Sequence, residues 1–516
     1  MPYDYRPFPY TPPPGLTAPE PRHKVVIVGA GPIGLALAID LASYGVPSVV
    51  LDDNNVVSVG SRAICWSKRS LEILDRLGVG AKCVEKGVIW KVGRTLHGNE
   101  EVWNFDLQPE PGHKMPAFVN LQQYYVEEYL VARAMEFPDL IDLRWKNKVT
   151  GLSQSDHVTL TVETPDGSYQ LETDHLVACD GARSNIRAMM KLEFDGELFE
   201  ERFLIADITM LSDFPAERRF WFQPDFHPGQ TALLHKQADN GYRIDLQLGW
   251  DADPEAERQL DRVIPRIEKA LGHKDFKVEW VSIYTFQCRR LEQFVHGPVI
   301  FCGDSAHIVS PFGARGGNGG LQDVDALGWR LAAVAKGHDP AILNTYDRER
   351  QQGADENLLN SSRTTRFMSP APGAERLFRD AVLALAGKAP FARPLVNSGR
   401  LSVPCTYALT GPDDPQLPEA SRPGAVAPDA PLPQGWLIDQ LGGVPILLAI
   451  GQPAPLVTGL KTCDLAVTPE LKRRYLGLAQ TALYLIRPDQ IIAARWQNPN
   501  PVAIADAAAA MWEDRK

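Results

Sequence analysis

The pattern of apolar and polar positions changes along the chain, and these changes divide it into segments with different predicted secondary structure. The apolar run 25–28 is followed by Gly29, Gly31 and Gly34 and then by the apolar stretch 35–39, which predicts a strand, a tight turn and a buried helix. A second apolar run, 49–51, ends in Asp52. This order predicts the first βαβ unit of a dinucleotide-binding domain.

The three glycines and the acid each have a physical reason in such a unit. Gly29 permits the turn, Gly31 lets the backbone approach a pyrophosphate, and Gly34 lets the helix pack closely on the strand. The helix N-terminus supplies unpaired N–H donors to the anion. Asp52 is placed to accept the ribose hydroxyls of an adenosine. A glycine-rich loop alone is often just a turn, but here strand, helix and acid are in register.

A different pattern begins after residue 190. The segments 220–222, 231–235 and 242–248 are typical of strands, and 256–271 is typical of an amphipathic helix. The chain then re-enters the first domain, to which the apolar run 299–302 and a predicted helix over 321–336 belong. After a proline-rich stretch, 404–433, strands at 444–450, 483–487 and 491–496 and a helix over 501–512 predict a small terminal α/β domain.

Composition excludes several classes of partner. The 516 residues carry a net charge of −11, which leaves no basic surplus for binding nucleic acid. No apolar run reaches the length of a membrane span, and residues 1–21 lack the apolar core of a secretory signal. The seven cysteines are scattered without a CxxC and the histidines without an HExxH. We therefore expect a soluble cytoplasmic protein with reduced cysteines and no metal.

Two further motifs narrow the assignment. Residues 180–187 read Asp-Gly-Ala-Arg-Ser-Asn-Ile-Arg, and Gly303-Asp304 is followed by Pro-Phe-Gly-Ala-Arg-Gly-Gly-Asn at 311–318. With the glycine fingerprint, these motifs resemble the class A FAD-dependent aromatic hydroxylases, in the phenol hydroxylase and 3-(3-hydroxyphenyl)propionate hydroxylase branch of the flavoprotein monooxygenases. The resemblance is strong over residues 23–365 and weaker over the last ~95.

The resemblance implies roles for individual residues. Asp180, Gly181 and Arg187 would serve the FAD pyrophosphate and NAD(P)H, and Asp304 would hold the ribityl chain. The loop containing Pro311, Gly316 and Asn318 would lead into a helix whose N-terminus lies beside the flavin pyrimidine ring.

Two more FAD contacts are implied, at Arg62 and Gln123. The alternatives are that Arg62 forms a surface ion pair and that Gln123 caps a helix.

The implied fold is α/β and α+β, with a Rossmann-like FAD-binding domain interrupted by a β-sheet substrate domain, as in para-hydroxybenzoate hydroxylase. The expected parts are an extended tail (1–22), the FAD-binding domain (23–190 with 283–365), the substrate-binding sheet (191–282), a helical linker (366–420) and a thioredoxin-like domain (421–516). Because the last contains only Cys463 and no CxxC, we expect it to support a homodimer rather than redox chemistry.

The chemistry that the resemblance implies is hydroxylation of a phenolic substrate. NADH or NADPH binds transiently and reduces FAD, and the reduced flavin captures O2 as a C4a-hydroperoxide that attacks the ring. The alternatives are epoxidation or Baeyer–Villiger oxidation of a polycyclic aromatic, and an FAD-binding protein without catalytic activity.

The residues that activate the substrate are less clearly marked. Arg243, Asp245 and Gln247 share one face of a predicted strand, which would either hold a phenol or form the solvated back of the sheet. His235 is a second candidate base, although a lone histidine in a strand is more often structural. The weaker candidates, on a later strand and as apolar walls, are Tyr284, Arg289, Trp221, Phe222 and Phe286.

Overall fold

The computed structural model describes residues 3–514 except 61, 109, 250, 397–400 and 402, and only the backbone of 200 and 201. Its strands are β1 His23–Val28, β2 Ser48–Asp52, β3 Cys65–Ser67, β4 Val88–Trp90, β5 Val92–His97, β6 Glu100–Asp106, β7 Phe118–Asn120, β8 Ile141–Trp145, β9 Lys148–Gln154, β10 Val158–Thr164, β11 Gly167–Ala178, β12 Asp195–Thr209, β13 Arg218–Phe222, β14 Thr231–Lys236, β15 Gly241–Gln247, β16 Lys277–Arg290, β17 Val295–His296, β18 Val299–Phe301, β19 His307–Ile308, β20 Ile446–Ile450, β21 Lys461–Leu465, β22 Ala482–Ile486 and β23 Ile492–Trp496.

The helices are α1 Pro32–Ser43, α2 Lys68–Arg76, α3 Gly80–Lys86, α4 Gln123–Ala134, α5 Asn185–Met189, α6 Pro254–Glu257, α7 Leu260–Leu271, α8 Gly316–Ala335, α9 Leu343–Met368, α10 Ala374–Ala386, α11 Arg393–Val396, α12 Pro469–Leu471 and α13 Pro501–Ala510. The amphipathic segment predicted as one helix is divided into α6 and α7. In the part of the chain that the structure describes, no helix is long and apolar enough to cross a membrane.

The first sheet brings the sequence motifs to a common edge. Its strand order is β17-β18-β11-β1-β2-β8, with β9 and β10 continuing from β11, and β18, β11, β1, β2 and β8 run parallel. The apolar side chains of β1, β2 and β18 are buried and share one hydrophobic core with those of α1 and α8. The carboxyl ends of β1, β2, β11 and β18 therefore place the glycine loop, Asp52, Asp180 and Asp304 together.

The second sheet has the order β19-β16-β12-β15-β14-β13-β5-β6. One of its faces is apolar and packs on α7 through Val263 and Ile267. Two strands from the range predicted for the FAD-binding domain, β5 and β6, lie in this sheet because β5 pairs in parallel with β13.

The terminal domain contains a third sheet, of order β21-β20-β22-β23, which includes one strand that the sequence analysis did not predict, β21. The turn after β22 inserts into the first domain. Arg69 donates to Gln490 Oε1 at 2.6 Å and to the Asp489 carbonyl at 2.8 Å, and Arg487 forms a bidentate pair with Glu349. Buried charges thus fix this domain against α8 and α9.

The N-terminal tail lies along the first domain, as an extended segment. Phe8 stacks on Trp145 with the ring centroids 4.7 Å apart, and its backbone N–H donates to the Asn55 carbonyl at 2.6 Å. Gly60 N–H donates to the Tyr5 hydroxyl at 3.1 Å. The tail therefore holds the loop that follows Asp52.

Candidate active site

The glycine loop at the end of β1 has the geometry that a pyrophosphate needs. Gly29 has φ +108°, and a Cβ there would lie 2.4 Å from the Cys179 carbonyl oxygen. A Cβ on Gly34 would lie 1.9 Å from the Gly29 carbonyl oxygen. By contrast, a Cβ on Gly31 would meet no protein atom within 4 Å. Gly31 thus leaves the N-terminus of α1 open to an anion.

Asp52 supports this turn from the end of β2. Its Oδ2 accepts from the Ala30 N–H at 2.6 Å and its Oδ1 from the Asn54 N–H at 2.8 Å. Burial raises the pKa of Asp52, and the two N–H donors act in the opposite direction. The carboxylate therefore holds the glycine loop in place, and its role toward a ribose stays a prediction.

The loop after β11 presents a second buried carboxylate. Asp180 Oδ2 accepts from the Ile186 N–H at 3.1 Å, while Oδ1 is buried with no hydrogen-bond partner among the described residues. Gly181 has φ +77° and open space at its Cβ position. Arg187 donates to the carbonyls of Ala182 and Ser305 at 2.8 and 3.1 Å, which ties this loop to the Asp304 turn.

The Asp304 turn faces the start of α8. Asp304 Oδ1 lies 3.9 Å from the position of a Cβ on Gly316, the first residue of that helix. Burial raises the pKa of Asp304, and His307 and Arg62 act to lower it. No side chain caps the N-terminus of α8, so its first N–H groups stay available. Pro311 begins the loop that leads to this helix.

Asn318 fixes α8 to the neighbouring strand. Its Oδ1 accepts from the Ser67 N–H at 2.9 Å, and its Nδ2 donates to the Cys65 carbonyl at 2.8 Å. Both polar atoms are thus committed to the protein, and Asn318 positions the helix N-terminus.

Gln123 contacts the segment that contains Arg62. Gln123 accepts from the Ala63 N–H at 3.0 Å and donates to Glu127 at 2.8 Å, so its side chain does not cap α4. Arg62 is exposed, and its carbonyl accepts from Arg243 Nη1 at 3.1 Å. The second sheet therefore contacts the Arg62 loop directly.

That contact settles which way the polar face of β15 points. Arg243 and Gln247 are 4% and 6% exposed, so the face is buried against the first domain and is not a solvated back. Arg243 forms a bidentate pair with Asp207 of β12 at 2.8 and 2.9 Å. Sequence reasoning missed Asp207, which is the one polar residue in the apolar run 203–208 and has no alternating pattern around it.

His235 lies between charged groups on this face. Its Nε2 is 3.8 Å from Asp245 Oδ2 and its Nδ1 is 4.0 Å from Cys65 Sγ. Burial, with the charges of Arg218 and Arg243, lowers the pKa of His235 far below its usual value. Burial raises the pKa of Asp245 to about 6. The face therefore offers a neutral imidazole beside a carboxylate.

The remaining candidates have other surroundings. Arg289 donates to the Phe194 carbonyl at 2.6 Å, and Trp221 packs edge-to-face with Phe226 on the opposite face of the sheet. Phe222 and Phe286 belong to an apolar cluster that also contains Phe312. Tyr284 of β16 feels the charges of Asp304, Arg62 and Arg183, which places it near the flavin motifs.

A buried ion network behind the site was not predicted. His307 Nε2 lies 2.7 Å from Asp323 Oδ2, Arg350 Nε donates to Asp323 Oδ1 at 2.5 Å, and Arg350 Nη1 donates to the Tyr407 hydroxyl at 2.7 Å. The Gly303 N–H also donates to Asp323 at 2.9 Å. This network anchors the Asp304 turn to α8 and α9.

These features suit FAD. Two open helix N-termini can receive the pyrophosphate and the flavin ring, and the unpartnered Asp180 Oδ1 and the half-buried Asp304 carboxylate can accept from ligand hydroxyls.

Comparison with known proteins agrees with this geometry. Residues 22–361 match the family described as FAD binding domain. The chain is 29% identical to a flavin-dependent monooxygenase of Mycobacteroides abscessus over 93% of this chain and 98% of the relative. It is 29% identical to para-nitrophenol 4-monooxygenase of Pseudomonas sp. (strain WBC-3), over 71% of this chain and 93% of that protein.

The fold also matches a solved structure. The flavin-dependent monooxygenase PieE, in complex with FAD and substrate, superposes with a TM-score of 0.81 at 21% identity, over 96% of this chain and all of that one. The FAD binding domain match covers well over half of the residues. The chain therefore belongs to the FAD binding domain family, the class A flavoprotein monooxygenases, and FAD is its cofactor.

Proposed function

We propose that this monooxygenase uses NADH or NADPH and O2 to hydroxylate a phenolic ring held between the segment 62–65 and the polar face of the second sheet. One observation carries the proposal. The buried face with Arg243, His235 and Asp245 lies directly on the loops that carry the flavin motifs, through the Arg243–Arg62 and His235–Cys65 contacts. A ring on that face would lie beside the cofactor.

The chain's own residues divide into those that hold FAD and those that bind the substrate. The N-terminus of α1 with Gly31 would receive the pyrophosphate, with Asp180 close to it, Asp52 would lie at the adenosine end, and Asp304 would lie at the ribityl chain. Bound FAD supplies the electrons it takes from NAD(P)H and the activation of O2. The protein would supply the closed surroundings, since Phe222, Phe286 and Phe312 are buried beside the site.

Asp245 is the residue that we propose as the base for the phenol. Burial raises the pKa of its carboxylate to about 6, and its Oδ1 accepts no hydrogen bond from the described residues, so it can accept the phenolic proton. His235, a neutral imidazole whose Nε2 lies 3.8 Å from Asp245 Oδ2, would position this carboxylate. Removing that proton raises the electron density of the ring, which favours attack by an electrophilic oxygen.

The test measures NAD(P)H oxidation, H2O2 and oxygenated product together, for holoenzyme with a panel of monophenols, hydroxybenzoates and polycyclic phenols. We expect at least one ligand to accelerate oxidation and to be hydroxylated with little peroxide. Asp245→Asn should lower kcat at least 10-fold with that ligand, while the control Arg219→Met, on the opposite face of β13, should not. Tight FAD binding without ligand-stimulated oxidation would refute the proposal, and an epoxide or lactone product would replace hydroxylation with another oxygen insertion.

A further inference from the structure

Arg218 is a buried arginine for which the protein provides no hydrogen-bonding partner among the described residues. It lies on β13 and is 3% exposed. Its Nε and Nη1 are buried and make no hydrogen bond, and its guanidinium stacks over Phe220 at 4.5 Å. The neighbouring Arg219, on the other face, forms an ion pair with Glu217 at 2.7 Å. Burying an unpaired guanidinium is costly, so a partner is required.

A second buried group on the same face also lacks a hydrogen-bond partner, and this group is an acceptor rather than a donor. Asp245 Oδ1 is buried and accepts no hydrogen bond from the described residues. The other basic group nearby, Arg243, is already paired with Asp207. The face therefore presents unsatisfied donors at Arg218 and an unsatisfied acceptor at Asp245.

The strand register gives the distance between these two groups. Arg218 pairs with His235 across β13 and β14, and His235 pairs with Arg243 across β14 and β15, the strand that carries Asp245. Because neighbouring strands are about 4.8 Å apart, β13 and β15 are separated by roughly 10 Å. Asp245 lies two residues along β15 from Arg243, which adds about 7 Å along the strand, so the Cα atoms of Arg218 and Asp245 are about 12 Å apart. An aromatic ring with a substituent at each end fits that width, with His235 beneath it.

We propose that the substrate carries two oxygen substituents: an oxyanion, either a carboxylate or a phenolate, that binds Arg218, and a hydroxyl that donates to Asp245 Oδ1. This inference rests on the proposed function of the same face. Arginine offers a planar fork of donors that matches a carboxylate, and a carboxylate is a strong acceptor for a hydroxyl hydrogen.

The first experiment uses only the wild-type holoenzyme and matched ligands. Binding is followed by perturbation of the flavin absorbance, for hydroxylated aromatic carboxylates of one to three rings, their methyl esters and their methyl ethers. We expect each loss of an oxyanion or of a hydroxyl hydrogen to raise the Kd at least 10-fold. Equal binding of the acids, esters and ethers, or no binding by any of them, would overturn the inference.

The second experiment assigns the two contacts. Arg218→Met should abolish the discrimination between acid and ester, Arg218→Lys should retain part of it, and Asp245→Asn should weaken the discrimination between hydroxyl and methoxy groups. Arg219→Met is the matched control and should retain both. FAD content and Tm identify a misfolded variant, and in that case the wild-type comparison decides.

The outcomes separate this inference from the proposed function. If a ring with a single oxygen is hydroxylated with the same KM by wild type and Arg218→Met, the function stands and the inference fails. If the acids bind as expected but NAD(P)H oxidation yields no oxygenated product, the binding site stands and the proposed function fails.

Discussion

Replacing Gly31 by alanine should separate FAD binding from folding. The new methyl group would meet no protein atom within 4 Å, so the fold loses little. The substitution costs about 1 kcal/mol or less in helix capping. The same methyl group would occupy the approach of the pyrophosphate to the N-terminus of α1. Losing one or two charge-assisted hydrogen bonds there, each worth about 1.5–3 kcal/mol, raises the Kd for FAD about 10- to 20,000-fold.

Gly34→Ala is the informative contrast. Its methyl group would lie 1.9 Å from the Gly29 carbonyl oxygen, so α1 must move away from the turn by more than 1 Å. Overpacking of this kind costs about 1–3 kcal/mol or more, and it should lower the Tm of the apoprotein itself.

The assay is titration of apoprotein with FAD by quenching of flavin fluorescence, with thermal melting of the same apoprotein samples. We expect Gly31→Ala to bind FAD weakly with a nearly unchanged apoprotein Tm, and Gly34→Ala to melt earlier. If Gly31→Ala binds FAD as tightly as wild type does, the pyrophosphate does not approach α1 at this residue and the assignment of the loop is wrong.

Three other perturbations test the supporting structure. Burial acts to raise the pKa of Asp323, but the charges of His307 and Arg350 outweigh burial and hold this pKa at about 2. The ionised carboxylate therefore stabilises the fold fully above the unfolded pKa of about 4, and this stabilisation is lost as the pH falls toward 2. Asp323→Asn should lower the Tm at pH 7 by an amount equivalent to about 3–5 kcal/mol. The difference in Tm from wild type should shrink below pH 4, and a difference that does not change with pH would contradict this prediction. Asp489→Ala removes one of the two acidic partners of Arg487 and the acceptor of the Trp329 indole, so limited proteolysis between the first and terminal domains should become faster, and unchanged digestion would rule out this role in docking. Phe8→Ala removes the stack on Trp145, worth about 0.5–1.5 kcal/mol beyond buried area, and hydrogen exchange in the loop at Asn55 should increase while exchange in α13 stays the same; equal protection of the loop in both proteins would show that the tail does not hold it.

A local sequence pattern was sufficient to predict the structure where one short segment contains all the residues that define it. The β1-α1-β2 unit depends on an apolar run, glycines at fixed spacing and an acid, all within 30 residues. The alternation of polar and apolar residues in β15 likewise predicts that Arg243, Asp245 and Gln247 share one face, since every second side chain of a strand points to the same side. Neither pattern could tell whether that face is buried.

Contacts between distant segments account for what the sequence analysis missed. The pairing of β5 with β13 joins residues more than 120 positions apart, so the range of the second sheet was not visible in either segment alone. Arg218 lies outside the predicted strand at 220–222, and its burial depends on how the first domain covers β13. The inserted turn at Asp489 and the His307–Asp323–Arg350 network also depend on contacts between distant segments, so neither was visible in the sequence.

The sequence by itself determined the dinucleotide-binding unit and much of the order of the elements, because glycine spacing and apolar periodicity are local constraints on the backbone. The family and the cofactor came from the resemblance that its three motifs carry. Only the tertiary structure decided which polar groups remain without partners. Whether Arg218 and Asp245 are satisfied depends on every side chain that packs around them, and that is settled when the two sheets and the flavin loops come together.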